Sequence, residues 1–529
     1  MNDTNATQNP PLLVDGHSLT LDDVASVATR GAASRNRLSV PDAAVERMGA
    51  SLKLKHELIE EGAAIYGVTS GFGDSSGERI DPAQSKDLQR HLVRFLGAGV
   101  GPTAPEDVTR ATMLIRANCL ARGHSAVRPE IVQLLVDCLS ADILPLIPER
   151  GSVGASGDLV PLSYLARLLT GDGEVSHADR HTTAEEALRQ AGLSPLVLGA
   201  KEGLALLNGT SFMSGFAVLA VHRAEQIAFA ADLCTALTSQ LRHGEPAHFE
   251  DFLFAQKPHA GTRAAAERIR GLLDGSRAHE AAEDDEGVSL QDPYSIRCAP
   301  HVTGVLADSL TWVREWMTTE INSSNDNPLF NTERRAAENG GNFYGGHVGL
   351  AMDALKTAVA SVGDLLDRQL ELVVDEKFNG LTPNLAPRPD GDDDPEAGLN
   401  HGFKGMQITA SALVAEALRN TMPATSFSRS TEAHNQDKVS MGTIAARDAH
   451  TVTGLVLHVT AIHLLALCQA ADLRGPHLLS PATRAAHDLI RSHSPYLDTD
   501  RPLAQDIETV TQLIADGTLH TTITQQHQV

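Results

Sequence analysis

The sequence predicts a mainly α protein: an elongated bundle of long antiparallel helices with a smaller N-terminal part. Three observations predict it. Apolar residues recur at helical spacing over 304–319, 345–378, 404–420 and 439–473; Val348, Met352, Leu355, Val359, Val362, Leu366 and Leu370 form one such stripe. Residues 212–241 are apolar over a length that no strand needs. Strand signals are sparse, and aromatic residues make up only 4% of the chain. Helices of this length usually pack as bundles. The expected organisation is a disordered tail at 1–12, an N-terminal part at 13–210, the long-helix bundle at 211–480, and a helical region and tail at 481–529.

Charge and cysteine usage bound the function. The 529 residues carry 43 Lys+Arg against 67 Asp+Glu, a net charge of -24. So acidic a surface argues against nucleic acid and anionic membranes as partners. The five cysteines, Cys119, Cys138, Cys234, Cys298 and Cys468, are scattered and form no CxxC, as expected in a reducing compartment. Residues 1–11 are polar, without a signal-peptide pattern. The apolar run at 454–468 is interrupted by His458 and His463 and reads as a buried bundle helix rather than a membrane span. A cytoplasmic protein is expected.

In chain order, 19–60 is helical in pattern, with Pro41 suited to a helix start. Residues 66–77, Tyr-Gly-Val-Thr-Ser-Gly-Phe-Gly-Asp-Ser-Ser-Gly, form a glycine-rich loop with the composition of an active-site lid. An amphipathic helix at 84–96 follows. Gly97-Ala98-Gly99-Val100-Gly101 then imitates a phosphate loop, but no strand precedes it and no G-K-S/T follows. Further helices are expected at 108–122, 129–141, 159–169 and 183–190. His243 and His248 lack the spacing and glutamate of a helical zinc site. Acidic loops are expected at 281–286 and 388–397, the latter without an EF-hand glutamate, so no metal is expected.

One stretch invites chemistry: Gly151-Ser152-Val153-Gly154-Ala155-Ser156-Gly157-Asp158-Leu159. Its plain reading is a tight turn, with glycines supplying unusual backbone angles and Asp158 capping the helix from Leu159. The chemical reading starts from the Gly157 nitrogen, which no side chain shields. Its attack on the Ala155 carbonyl, with loss of two waters, gives a methylidene-imidazolone, an electrophile made from backbone alone.

The motifs together resemble those of the aromatic amino-acid ammonia-lyases and their aminomutase relatives. The resemblance runs from about Asp15 to beyond Arg474. It rests on Tyr66-Gly67-Val68-Thr69-Ser70-Gly71-Phe72-Gly73, the 151–159 stretch, Asn208-Gly209-Thr210, Tyr294-Ser295-Ile296-Arg297-Cys298, Asn325-Asp326-Asn327-Pro328, Gly341-Asn342-Phe343 and Asn435-Gln436-Asp437. It implies loss of ammonia from an L-α-amino acid, with 4-methylideneimidazol-5-one formed from Ala155, Ser156 and Gly157 as the sole cofactor and no metal or pyridoxal phosphate. Tyr66 would be the base that takes the β-proton, given a cation or helix N-terminus to favour its phenolate. Arg297 would grip the substrate carboxylate. Asn208 and Tyr294 would lie near the ring and amine. Asn327, Phe343, Lys404, Glu432 and Gln436 would complete the site, with a solvated surface charge as the competing reading of Lys404. The resemblance also implies a homotetramer whose active sites are shared between subunits.

Substrate choice follows from the helix after the lid. Family members carry Phe-Leu there when phenylalanine-type, a His when tyrosine-type, and often Ser-His when histidine-type. Here the pair is Phe95-Leu96, and Leu159, Leu204 and Leu207 extend an apolar wall. Gln436 stands where histidine-type members have glutamate. The expectation is a phenylalanine ammonia-lyase forming trans-cinnamate, of phenylpropanoid type. Tyr344 and His347 keep tyrosine open, and a 2,3-aminomutase shares the same residues. A non-catalytic scaffold would have lost Tyr66, Ser156 or Arg297, all present; a pyridoxal enzyme would need more support around Lys201 than the sequence offers.

Overall fold

The computed structural model describes residues 11–29, 38–278, 290–387 and 398–526. The tail expected at 1–12 falls outside them up to residue 10, as do both acidic loops. The described chain is mainly helical, with small sheets of two or three short strands. It groups into two compact units. One comprises 1–219, 314–353 and 423–447; the other comprises 220–313, 354–422 and 448–529. The expected spans were sequential; the units are not, because packing joins segments far apart in sequence.

Most helices stand where periodicity puts them. Leu159–Leu169 is as expected, and Ser85–Phe95, Glu106–Ala121, Pro129–Ser140, Lys404–Arg419 and Gly442–Arg474 differ by a few residues at their ends. Pro41 is the residue before the Asp42–Glu60 helix, not its first turn. Helix Gly346–Val374 stops earlier than the apolar pattern, and a short helix Glu376–Asn379 follows, capped by Asp375. Gly442–Arg474 is the one described helix long and apolar enough to cross a membrane, and 78% of its most apolar window is buried.

In the first unit, the Glu106–Ala121 helix is buried along most of its length, as is much of Pro129–Ser140. The glycine run at 97–101 leads into strand Val100–Thr103, paired antiparallel with Pro148–Arg150. The strand thus lies at the end of the run rather than before it, and the strand-loop-helix order of a phosphate site is absent. The pairing leads the chain straight into the 151–157 loop.

A small core supports the base of the glycine-rich loop: Leu54, Leu58, Ile65, Val68, Ala126 and Phe330. The loop is ordered by its own bonds. The Ile65 amide donates to Thr69 Oγ1 (2.8 Å), the Ile80 amide to Thr69 O (3.0 Å) and the Gly71 amide to Glu78 O (3.0 Å). Gln89 ties the loop down, donating to Gly67 O (2.9 Å) while accepting from the Leu204 amide (2.9 Å). Phe330→Ala should lower the free energy of unfolding by about 3–5 kcal/mol through the cavity it leaves; urea denaturation measures it, and a loss under about 1 kcal/mol would deny Phe330 this role.

Candidate active site

The 151–157 loop is held by backbone and hydroxyl contacts. The Met441 amide donates to Val153 O (3.0 Å) and the Ser440 hydroxyl to Gly154 O (3.0 Å). The Gly154 amide donates to Ser152 Oγ (3.1 Å). Asp158 does not cap its own helix, which corrects the sequence expectation. Its buried carboxylate accepts instead from Thr443 Oγ1 (2.5 Å), Ser152 Oγ (3.1 Å) and the Met213 amide (2.8 Å), in the first turn of helix Ser211–Leu241. A long-range acceptor role has displaced the local cap. Burial pushes the carboxyl up to about 6 despite these donors.

The residues at 155–157 fit ring closure. Gly157 has φ +66, and a Cβ there would lie 2.0 Å from Gly209 O. Only glycine therefore suits the position sterically, which also leaves its nitrogen unshielded. Gly209 closes on the tripeptide from the other side: its amide donates to Ser156 O (3.3 Å) and its carbonyl accepts from the Asp158 amide (2.8 Å). Ser156 Oγ accepts from Gln436 Nε2 (3.2 Å).

A cavity of about 610 Å³ opens over the tripeptide. Of the expected site residues, it brings together Tyr66, Phe95, Leu96, Ala155, Ser156, Gly157, Leu159, Leu204, Asn208, Asn327, Phe343, Glu432 and Gln436. One wall is apolar: Leu92, Phe95, Leu96, Leu159, Val160 and Leu204. Phe95, a lining residue, is 64% exposed despite its size. The lining also includes polar side chains, among them Asn208, Asn327, Glu432 and Gln436. Leu92 and Val160 were missed in the sequence, although Leu92, Phe95 and Leu96 share the i, i+3, i+4 spacing of one helix face. Phe72 was missed as well; it lies edge-on to Tyr66 at 6.4 Å. Tyr344 lines the cavity, whereas His347 packs edge-on against Trp316 at 4.8 Å.

The Tyr66 phenol oxygen accepts from the Gly73 amide at 2.8 Å. Burial raises its pKa, and the Glu432 carboxylate adds to this; together they outweigh the Gly73 amide. The cation or helix N-terminus that the sequence argument required to favour the phenolate is not among the groups acting on it. Glu432 projects from a turn in which Glu432, Ala433 and His434 all have left-handed φ (53, 51 and 66°). Its carboxylate accepts from the Asp74 amide (3.1 Å) and from Asn435 Nδ2 (2.7 Å), so it latches the Tyr66 loop.

Besides His347, four expected residues do not line this cavity; Leu207, expected in its apolar wall, is fully buried at the end of helix Glu202–Leu207. Tyr294 is 72% exposed on a short helix, Tyr294–Arg297, in the second unit. Arg297 lies over its ring at 4.5 Å and donates to Asp292 O (3.0 Å). Lys404 opens helix Lys404–Arg419 as an exposed side chain. Lys201 is fully buried and paired with Asp326 (2.6 Å), which removes it from any Schiff-base role. His243 and His248 are engaged by Ala278 O (2.6 Å) and the Asp292 amide (3.0 Å) respectively.

The first unit thus brings a glycine-flanked Ala-Ser-Gly and an apolar set of side chains to one cavity, the combination the motifs led one to expect. Residues 19–492 match the family model for aromatic amino acid lyases, and the chain belongs to that family. It is 41% identical to a histidine ammonia-lyase of Anaeromyxobacter dehalogenans over 96% of this chain and 99% of that one. Among solved structures, it superposes on tyrosine aminomutase from Streptomyces globisporus with a TM-score of 0.89 at 37% identity, covering 98% of this chain and 99% of the other. It also superposes on Pantoea agglomerans phenylalanine aminomutase with a TM-score of 0.86 at 32% identity, covering 96% and 99%.

Asp158 makes a prediction about stability. A carboxyl with a folded pKa of about 6 and an ordinary value of 3.8 binds its proton more tightly when folded. Its contribution is fully present below about pH 4 and is lost as pH rises towards about 6, at a cost of about 3 kcal/mol. Asp232 in the second unit behaves alike. Asp158→Asn should therefore flatten, without abolishing, the fall in stability over this window; an unchanged slope in denaturation at pH 4, 5 and 6 would contradict it.

Proposed function

We propose that the chain eliminates ammonia from L-phenylalanine to give trans-cinnamate. The observation that carries this reading is the apolar wall, in which none of Leu92, Phe95, Leu96, Leu159, Val160 and Leu204 offers a hydrogen bond. A phenyl ring needs none. A phenol hydroxyl or an imidazole N–H left without a partner there would cost about 1–3 kcal/mol. The methylidene-imidazolone, once formed from Ala155, Ser156 and Gly157, supplies the electrophile that turns the amine into a leaving group. The side chains around it orient the substrate and move the proton. Tyr66 is the base for the β-proton, and the Gly73 amide is the donor that favours its phenolate. Asn208, Asn327, Phe343, Glu432 and Gln436 position the amino-acid end.

The carboxylate grip of Arg297, with Tyr294 and Lys404, comes in this reading from neighbouring copies of the chain in a cytoplasmic homotetramer. The placement of all three outside the cavity lining supports it. Two other readings have specific support. Histidine is the substrate named for the 41%-identical relative. An aminomutase outcome is named for both solved neighbours.

Incubation with phenylalanine, tyrosine and histidine, with products identified by mass, decides among them. Cinnamate is expected; β-phenylalanine would make the chain a mutase, and turnover of histidine alone would overturn the phenylalanine reading. Ser156→Ala should abolish the two-water mass deficit and lower turnover roughly a thousandfold, about 4 kcal/mol of transition-state stabilisation. Phe95→His supplies a partner for a phenol hydroxyl and should raise the tyrosine-to-phenylalanine ratio in kcat/KM by roughly 10–100-fold. The rate should climb with pH as Tyr66 ionises. Glu432→Gln removes a carboxylate that raises the Tyr66 pKa, so the climb should move to lower pH; a shift the other way would separate Glu432 from the base.

A further inference from the structure

Asn208 lines the cavity, yet its amide is almost wholly buried, at 2% exposure. Its Nδ2 donates twice, to Asp326 Oδ1 (3.1 Å) and to the Asn327 carbonyl (3.2 Å). Its Oδ1 is buried and has no hydrogen-bond partner among the described residues. Both groups beside Nδ2 are acceptors with no hydrogen to give, so the reversed amide would set oxygen against oxygen twice. The orientation of Asn208 is therefore decided by Asp326 together with the Asn327 carbonyl.

Asp326 is itself fixed. Its Oδ2 accepts from Lys201 Nζ at 2.6 Å, with the two side chains 1% and 0% exposed. Its Oδ1 also accepts from the Asn327 amide at 2.7 Å. The buried Arg116 guanidinium adds a second positive charge nearby. Lys201 precedes helix Glu202–Leu207 with φ +75, a left-handed conformation that residues with a Cβ disfavour. Nothing in the chemistry of the cavity uses Lys201 or Asp326 directly. A buried ion pair is weak evidence for stability on its own, whereas fixing a single orientation is its best attested use.

We propose that the Lys201–Asp326 pair is a positioning device that locks the Asn208 amide with its carbonyl oxygen as the free end, reserving that acceptor for the ammonium group of the substrate. An ammonium is the strongest donor an amino acid carries, and a buried acceptor left unmatched is costly until such a donor arrives. The product acid has no amine and makes no use of it. The pair thus serves recognition of the amino group and leaves affinity for the carbon skeleton alone. The inference rests on the reading of the cavity as an amino-acid site.

Binding measured with two non-productive ligands of one skeleton, D-phenylalanine and trans-cinnamate, tests it by calorimetry. Wild-type protein binding neither would count against the phenylalanine reading, and the matched pair would then come from whichever amino acid is turned over. In Asp326→Asn, which keeps the shape but offers the Asn208 amide a donor as well as an acceptor, affinity for the amine-bearing ligand should fall at least tenfold. Affinity for the amine-free acid should stay within twofold, and the two-water mass deficit should be retained. Equal losses for both ligands, or no loss for either, would overturn the proposal. If Asp326→Asn does not fold, the double variant Lys201→Met with Asp326→Leu removes both charges together and carries the same test. It should show the same selective loss, and an unchanged ratio of the two affinities would overturn the proposal equally.

Discussion

The first unit depends on one buried carboxylate. Asp158 reaches Ser152 before it, Met213 in the next long helix and Thr443 in a segment far downstream. Taking a carboxyl fully out of water is expensive, and the residual strain shows in its elevated pKa. Three donors offset part of that cost, and they do so only when separate parts of the chain meet at one point. The Ala155-Ser156-Gly157 segment, immediately before this junction, inherits its position from it. Gly209, closing on Gly157 from the opposite side, completes the clamp. The same glycine packs against Arg116 and Asn325 on its other face, which leaves no room for a side chain at either glycine.

Around that clamp the cavity has two chemically distinct sides because two kinds of structure build them. Helices Ser85–Phe95, Leu159–Leu169 and Glu202–Leu207 turn leucines, a valine and Phe95 towards it, as amphipathic helices do at low cost. The polar side comes from turns: the left-handed turn at 432–434, the Asn325-Asp326-Asn327 segment and the Tyr66 loop. Turns place backbone amides as well as side chains. The Gly73 and Asp74 amides, aimed at Tyr66 and Glu432, are as much part of the cavity as the residues a motif would name. Glu432 couples the two, since it latches the loop that carries Tyr66 while raising the cost of ionising Tyr66.

Much of this was legible in the sequence. The Leu159–Leu169 helix, the glycine-rich loop, the tripeptide and the Phe95-Leu96 pair all stand where spacing and motif put them. Leu92 was within reach by the same helical spacing that exposes Phe95 and Leu96. The partners of Asp158 were not, because an aspartate before a helix reads as a cap until the competing donors are seen. Nor was the environment of Tyr66 legible: its pKa is set by burial and by a glutamate 366 positions away in sequence (432 − 66). The motif around Arg297 named the residue without locating it, and within one chain it lies outside the cavity lining.

What the sequence by itself determined was the helical architecture and the family to which the chain belongs. Helical periodicity is a local signal, with each residue answering to neighbours three and four positions away, so it survives without knowledge of the fold. The tertiary structure alone decided which groups face one another: that Asp158 braces a distant helix, that Asp326 meets both Lys201 and the Asn208 amide, and that Tyr294, Arg297 and Lys404 are not among the cavity's lining. Those outcomes depend on burial and on hydrogen bonds between segments hundreds of residues apart. No spacing along the chain encodes them, because each is settled only when the whole unit has packed.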